Sequence, residues 1–171
     1  MGKVEYLETI IHDAYHGTSK EKAEKIITTG KFCISRDPVL FLGDGVYFYE
    51  GSRKLAEGWA RKKFSRENIG IIIAKIKLGC CLNLSTPEHR ELIKDTHREI
   101  RRRRWKVTDA VVLNYFATII EPQIDTIRCH FGELKREASR KIFEGSNITD
   151  LGYVVICVRK TESIKDFSMA Q

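Results

Sequence analysis

The sequence predicts an α+β fold, with strands near both ends of the chain and helices between them. Apolar, β-branched segments bordered by turn residues predict strands at residues 9–15, 45–49, 69–78, 124–131 and 153–159. Helical segments separate these strands without alternating regularly with them, so a doubly wound parallel sheet is disfavoured. The 171 residues have the size of one domain, and we expect residues 1–171 to form it.

The first helix is expected to begin directly after the first strand. Thr18 and Glu21 have the spacing of a capping box, so Thr18 is predicted as the N-cap. Gly30 is placed to end the helix. Residues 32–42, which include Pro38, are predicted as a loop that leads to the second strand.

Three further helices are predicted from apolar periodicity and start signals. One begins after Ser52 and carries Trp59 on its apolar face. Another has Pro87 in its first turn and is expected to run to the arginine run at residues 101–104. A third, more apolar helix covers residues 109–118.

Composition favours a soluble globular protein of a reducing compartment. Hydrophobic residues make up 42% of the chain and charged residues 31%, which excludes a disordered chain. No apolar run approaches the ~20 residues that span a bilayer, and the N-terminus lacks the apolar core of a secretory signal. The five cysteines form no C-x-x-C pair, and no zinc-ligand spacing is present. We therefore expect a cytoplasmic protein without a metal.

The first motif with chemical content is Tyr15-His16-Gly17-Thr18. Histidine offers one donor and one acceptor, which suits a ribose hydroxyl. Gly17 lets the backbone approach a planar ligand closely, and the Thr18 hydroxyl would lie at a helix N-terminus, where phosphate also binds. Taken alone, the tripeptide His16-Gly17-Thr18 has a more ordinary explanation, namely a turn that requires glycine.

The second motif is Gly43-Asp44-Gly45-Val46-Tyr47-Phe48-Tyr49. Its two glycines predict a tight loop in which the backbone approaches another group closely. On the following strand, Tyr47 and Tyr49 point to one face, and Val46 and Phe48 to the other. An amphipathic edge strand with Val46 and Phe48 in the core explains this alternation. It would still leave two tyrosines together, where one or both can stack on a ring.

Together the two motifs resemble those of the ADP-ribosyltransferase superfamily, in its poly(ADP-ribose)-polymerase-like branch. Y-H-G-T, an apolar helix ending in glycine, L-G-x-G-V-Y-F and a helix with alanine and tryptophan follow in that order. Small bacterial and phage-related members are the most similar. Softer similarity continues at residues 72–84, 124–128, 143–145 and 154–159. The resemblance implies a compact split β-sheet, mixed or antiparallel, with flanking helices.

The resemblance also implies a cleft that binds NAD+ as co-substrate. His16 would bond the nicotinamide-side ribose, the backbone of Gly17 would hold the carboxamide, and Tyr47 would stack on the nicotinamide ring. Arg36 would contact the pyrophosphate. The other motif residues expected in the cofactor site are Tyr15, Thr18, Gly43, Gly45 and Tyr49.

The sequence departs from the family pattern on its later strand. Family members commonly place a glutamate there to hold the ribose hydroxyl and activate the acceptor, but residues 152–155 are Gly-Tyr-Val-Val. Polymer elongation is therefore not expected. Three outcomes stay open: transfer of a single ADP-ribose, a glutamate supplied from a neighbouring segment, or a protein that only binds. Glu144 is the first candidate to replace the missing strand glutamate, and Glu133 is the second. Either carboxylate could instead be a surface group that pairs with nearby Lys and Arg residues.

The acceptor is expected to be nucleic acid, RNA or DNA. Arg101, Arg102, Arg103 and Arg104, followed by Trp105, offer phosphate attraction and a stacking ring, and the net charge is +7. A solvated helix end explains the same run without a ligand. The resemblance implies an intracellular toxin or phage-defence effector with a neutralising protein partner. The alternatives are a protein acceptor, an RNA 2′-phosphotransferase, and a non-catalytic module that binds NAD or ADP-ribose.

Overall fold

The computed structural model describes residues 4–37, 40–103, 106–131, 140–150 and 152–171. Within these residues the chain forms seven β-strands and four α-helices. The strands are β1 (Tyr6–Ser19), β2 (Val46–Glu50), β3 (Ile69–Asn83), β4 (Thr126–Phe131), β5 (Ile148–Thr149), β6 (Tyr153–Val158) and β7 (Ile164–Met169). The helices are α1 (Lys20–Thr29), α2 (Arg53–Lys63), α3 (Pro87–Arg102) and α4 (Asp109–Ile119). None of these helices combines the length and the apolarity needed to cross a membrane.

The strands form one sheet of mixed orientation, in the order β5-β4-β6-β2-β1-β3-β7. Neighbours in this order are antiparallel. The C-terminal end of β3 also pairs in parallel with β4, where Cys81 lies opposite Thr126 and Asn83 opposite Arg128. This extra pairing closes β4, β6, β2, β1 and β3 into a ring. The mixed α+β fold predicted from the sequence is confirmed.

The pairing between β1 and β2 is short, and this opens the sheet. Only Ala14 with Glu50 and Tyr15 with Tyr49 are in register. Beyond Tyr15, β1 continues along β3 as far as Ser19, and β2 runs beside β6. Because β1 and β2 are antiparallel, residues 16–18 and residues 46–48 face each other without ladder pairing. A gap therefore separates the two sequence motifs.

Helices α1 and α2 pack on opposite faces of the sheet beside this gap. Ala23 of α1 packs with Ile72, whereas Ala56 of α2 packs with Ile71. Adjacent residues of a strand point to opposite faces, so one helix flanks each face. Helices α3 and α4 cover β4 and β6 and enclose the largest core cluster. Its members include Leu82, Ile93, Ile100, Leu113, Phe116, Ile127, Cys129 and Cys157.

The cap of α1 differs from the prediction. Ser19 is the N-cap, and its side chain accepts a hydrogen bond from the N–H of Lys22 at 3.3 Å. Thr18 still belongs to β1, where it is buried and lies opposite Gly70 of β3. Pairing with β3 holds Thr18 extended, and this tertiary contact decides against the capping-box spacing. Gly30 ends the helix in the left-handed conformation, as predicted.

The strand predicted at residues 153–159 is the last one that the sequence predicts, but β7 follows it in the chain and lies at the sheet edge. Only Ile164 of β7 is buried, and its pairing with β3 is irregular near Asp166, which has a φ of 38°. An edge strand of this kind lacks the alternation on which the sequence prediction depends. The short strand β5 was likewise not predicted.

Candidate functional site

A cleft of about 550 Å³ opens where β1 and β2 separate. This volume lies in the range of small-molecule sites. Its walls are formed by the end of β1, helix α1, the loop before β2, the start of β2 and the end of α2. His16, Gly17, Thr18, Gly45 and Tyr47 line it, so the structure brings the cores of both sequence motifs together.

His16 bridges the two strands that border the cleft. Its Nδ1 lies 2.9 Å from the carbonyl oxygen of Tyr47. Because a carbonyl only accepts hydrogen bonds, Nδ1 carries the proton, and Nε2 of the neutral ring is an acceptor. Burial lowers the pKa of His16 against the opposing effect of the Tyr47 carbonyl, and the nearby charge of Lys22 lowers it further. The ring is therefore neutral at physiological pH.

Gly17 is required by helix α2 as well as by the cleft. A Cβ at this position would collide with the backbone carbonyl of Ala56 and press against the Cβ of Ala60. The absent side chain lets α2 lie directly on β1. Helix packing is thus sufficient to explain the glycine, while its backbone also lines the cleft.

The phenol of Tyr47 fastens the loop that forms one wall. Its hydroxyl donates to the carbonyl oxygen of Gly43 at 2.6 Å and accepts from the N–H of Leu42 at 3.1 Å. Burial raises its pKa, so the hydroxyl stays protonated. The ring meets Phe41 edge-on, with 5.9 Å between centroids. Val46 and Phe48, on the opposite face of β2, are buried in the core as predicted, but β2 is not an edge strand, because it lies between β6 and β1.

The glycines of this loop approach protein groups closely, as the sequence predicted. Gly43 has a φ of 75°, and a Cβ there would collide with the amide of Asn114 in α4. That amide accepts from the N–H of Asp44 at 3.0 Å and from Arg159 at 2.9 Å. A Cβ at Gly45 would collide with Cys157 of β6. The loop is therefore held in place from the core side, and Gly43 does not line the cleft.

Trp59 is the cleft residue that sequence reasoning missed as a functional candidate. It lies on α2, lines the cleft and is half-buried. The ammonium group of Lys63 lies over its indole ring, 5.2 Å from the centroid. Sequence periodicity assigns Trp59 to the apolar face of α2, and this assignment to the core gives no indication that Trp59 lines the cleft. A tryptophan beside an aromatic-rich cleft motif is the signal that was available.

The charged side chains that line the cleft are all lysines. They are Lys22, Lys25, Lys31 and Lys63. No carboxylate lies among the lining residues in the described part of the chain, and none forms an ion pair with these lysines. The cleft therefore attracts anions.

Besides Gly43, three more of the predicted cofactor residues lie at the border of the cleft or outside it. Tyr49 reaches only a small adjoining recess, where burial raises its pKa to about 12. Tyr15 packs beneath α2 with Ala56 and is not a lining residue. Arg36 is exposed and directly follows Ser35, which lines the cleft and pairs with Gly45.

The structure does not bring Glu144 to the cleft. It is an exposed turn residue beside Phe143, whose ring stacks on His97 of α3 at 4.2 Å. Glu133 lies outside the described residues. The glutamate on β2, Glu50, forms a two-pronged ion pair with Arg128 of β4 at 2.7 and 2.9 Å. Its carboxylate is thereby committed to joining two strands.

Helix α3 reaches the arginine run, as predicted, and ends at Arg102. Arg101 and Arg102 are exposed in its last turn, and Arg103 pairs with Glu99 at 2.7 Å. Arg104 and Trp105 lie outside the described residues. Arg101, Arg102 and Arg103 do not line the cleft. The interpretation as a solvated helix end fits the described part of the run.

Comparisons with known proteins leave the activity open. No protein-family model matches the sequence. The chain is similar to an uncharacterised protein of Methanocaldococcus jannaschii, with 27% identity over 178 residues that cover 88% of this chain and 83% of that protein. Among the described residues, no group of three or more His, Cys, Asp or Glu side chains is arranged to hold a metal ion. Function is therefore argued from the geometry of the cleft.

Proposed function

We propose that this protein is an NAD+-dependent mono-ADP-ribosyltransferase whose co-substrate binds in the cleft between β1 and β2. The observation that carries the proposal is the direct bond between the two motifs, from His16 to the carbonyl of Tyr47. Two segments that resemble an ADP-ribosyltransferase thus meet across a cleft of suitable volume with lysine on its walls. The ring of strands with a gap at this point is consistent with the split sheet of that superfamily.

The proposed reaction breaks the bond between nicotinamide and C1′ of its ribose. The bonding electron pair leaves with neutral nicotinamide, and the ribose passes through an oxocarbenium-like state. The acceptor's lone pair then forms the new bond to C1′, and the acceptor loses its proton to solvent. Such a reaction needs orientation and charge stabilisation more than a nucleophile from the protein.

His16 is suited to orient the ribose. With its Nδ1 donating to Tyr47, its Nε2 can accept a hydrogen bond from a ribose hydroxyl. The lowered pKa of His16 keeps Nε2 unprotonated. A positive imidazolium would repel the cationic transition state, whereas the neutral ring does not. The backbone of Gly17, next along β1, lines the cleft and would hold the carboxamide.

Trp59 joins Tyr47 as a candidate to stack on the nicotinamide ring. Its indole already has a cation over it, the ammonium of Lys63. The positively charged pyridinium of NAD+ has the same preference for an indole face. Through its hydroxyl, Tyr47 also holds the loop that forms one wall of the cleft.

The lack of a lining carboxylate among the described residues supports single transfer over polymer elongation. It also favours a second candidate, a module that binds NAD or ADP-ribose without turnover. We take nucleic acid as the acceptor, since the cleft is basic and carries aromatic rings. A role as a toxin or phage-defence effector with a neutralising partner, in the cytoplasm, is part of the same proposal.

The test is incubation with NAD+ labelled in its adenylate, together with total RNA, DNA or cell protein. His16→Ala and Trp59→Ala are expected to reduce label transfer at least ~100-fold, because each removes an orienting contact. His12→Ala is the matched control, since His12 is an exposed histidine on the same strand that does not line the cleft. Its activity should equal that of the unchanged protein.

The outcomes separate the candidates. Label in nucleic acid supports the proposal as stated, and label only in protein changes the acceptor. Release of a 2′-phosphate from phosphorylated RNA would favour the phosphotransferase alternative. NAD+ binding without nicotinamide release under any condition would leave the binding module.

A further inference from the structure

The positive charge of the cleft exceeds what NAD+ can neutralise. Four lysines line it, and the described lining residues include no carboxylate. NAD+ carries a pair of phosphates and one cationic ring, so it leaves most of this charge uncompensated. The excess predicts a second anionic ligand at the same cleft.

Two of the three lysines of α1 lie on the side of the helix that faces the cleft. Lys22 and Lys25 share the cleft-facing side with Ile26 and Thr29, at helical spacing. The acidic residues of the helix, Glu21 and Glu24, do not line the cleft. Lys31 and Lys63 continue the positive surface beyond the end of α1 and across to the end of α2. We call these four lysines the cleft lysines.

Aromatic rings lie among the cleft lysines. Trp59 and Phe64, from the end of α2, both line the cleft and are half-buried. Phosphate-binding lysines interleaved with aromatic platforms are the combination that holds single-stranded nucleic acid, because backbone and bases are bound together. An acidic protein surface would need the positive charge but would have no use for the rings.

We propose that single-stranded nucleic acid binds across the mouth of this cleft, with its phosphates on the cleft lysines and a base against the Phe64 ring at the end of α2, next to the Trp59 ring that we assign to NAD+. The inference rests on the proposed function, for which it names the acceptor's binding surface. It moves that surface from the arginine run to α1 and α2. There the acceptor lies beside the bound NAD+, whereas Arg101 and Arg102 do not line the cleft.

The experiment measures fluorescence anisotropy of labelled single-stranded RNA and DNA of about 12 nucleotides, within the span of such sites. Lys25→Gln/Lys63→Gln is compared with Arg101→Gln/Arg102→Gln. Each double variant removes two positive charges, so net charge is matched. Titrations run without NAD+ at several salt concentrations, and unfolding midpoints verify that both variants fold.

The lysine variant is expected to bind at least ~10-fold more weakly, and its log–log salt slope should fall by about 1.4 to 1.8. The arginine variant should keep the affinity and slope of the unchanged protein. Equal losses in both variants, a loss in the arginine variant alone, or no nucleic-acid binding would overturn the inference. So would lysine-dependent binding of polyglutamate in place of nucleic acid, which would indicate an acidic protein partner.

The two proposals fail in different ways. Nucleic-acid binding that depends on the lysines, without nicotinamide release, would remove the transferase and keep the binding surface. If the lysine variant transfers label to nucleic acid as well as the unchanged protein does, the transferase proposal stands and the proposed binding surface is wrong.

Discussion

The charged groups of this molecule are arranged in opposite ways in two regions. In the region of β4 and its neighbours, which we call the paired region, Glu50 meets Arg128, and Lys160 meets Asp125 at 2.6 Å. Asp109, nearly fully buried, accepts from Ser146 at 2.6 Å and from the N–H of Asn147 at 2.8 Å. The cleft instead gathers lysines without a carboxylate among its described lining residues.

The difference separates residues that hold the fold from residues that are available to a ligand. A carboxylate or guanidinium in the paired region gains its partner when the chain folds. A lysine of the cleft has no carboxylate beside it among the described lining residues, so it would gain an anionic partner only when a ligand binds. Substitutions in the paired region should therefore lower stability, and substitutions in the cleft should lower binding.

The largest effect is expected for Arg128→Ala. It leaves Glu50 without its partner at a site where the two side chains are only 20% and 23% exposed. We expect a loss of about 3 kcal/mol in the free energy of unfolding, near the lower end for buried pairs. Lys25→Ala, the matched loss of one positive charge, should change it by less than about 0.5 kcal/mol. Urea unfolding of both variants measures these changes in free energy. Equal losses would contradict the distinction between residues that hold the fold and residues that are available to a ligand.

Gly17→Ala is expected to lower both the stability of the protein and its affinity for NAD+. The added methyl group collides with the Ala56 carbonyl, so α2 must shift. Overpacking of this kind costs about 1 to 3 kcal/mol. Because α2 carries Trp59, NAD+ binding should weaken together with stability. Gly58→Ala, inside α2 with open space around it, is the control: it should leave NAD+ binding unchanged and raise stability by up to about 1 kcal/mol, because alanine favours the helix more than glycine does. A fully stable Gly17→Ala variant would show that the helix contact is looser than described.

The smallest effect concerns pH. Burial lowers the pKa of His16, and it also lowers the pKa of His97 and His130 in the paired region. As pH falls through the ordinary histidine value near 6.5, the unfolded chain takes up protons that the folded chain does not. Stability should therefore fall below about pH 6.5, by up to ~1.4 kcal/mol per pH unit for each histidine.

His16→Gln separates the contribution of the cleft from that of the paired region. The substitution should reduce the slope of unfolding free energy against pH by up to ~1.4 kcal/mol per pH unit, which corresponds to one proton. The contribution of His97 and His130 to the slope should persist. Unfolding measured between about pH 7.5 and pH 5.5 gives both slopes. An unchanged slope in His16→Gln would mean that His16 is not held neutral.

The sequence was sufficient to predict element types where apolar periodicity was strong. The strands that contain Ile72 and Ile156 are examples, as is the helix after Ser52. It could not predict the N-cap of α1, because the pairing of Thr18 with Gly70 is a contact between strands. Irregular edge strand β7 carried too little alternation to be found.

For the candidate site, the sequence predicted which motifs meet but not what surrounds them. His16 and Tyr47 are joined by a direct bond, in agreement with a shared cleft. The ion pair of Glu50 and Arg128 connects residues 78 positions apart, which no local pattern reveals. The same is true of Gly17, whose missing side chain is explained by Ala56 in a later helix. Trp59 was visible in the sequence, but its helical spacing assigned it to the core.

The most direct test of the central claim, that NAD+ binds between β1 and β2, uses the two tryptophans of the chain. Trp105→Phe leaves Trp59 as the single tryptophan. Addition of NAD+ should quench its fluorescence, because the pyridinium ring lies against the indole, and His16→Ala in the same background should abolish the quenching. Quenching that persists in Trp59→Phe, where Trp105 alone remains, with none in Trp105→Phe, would place NAD+ outside the cleft and contradict the account.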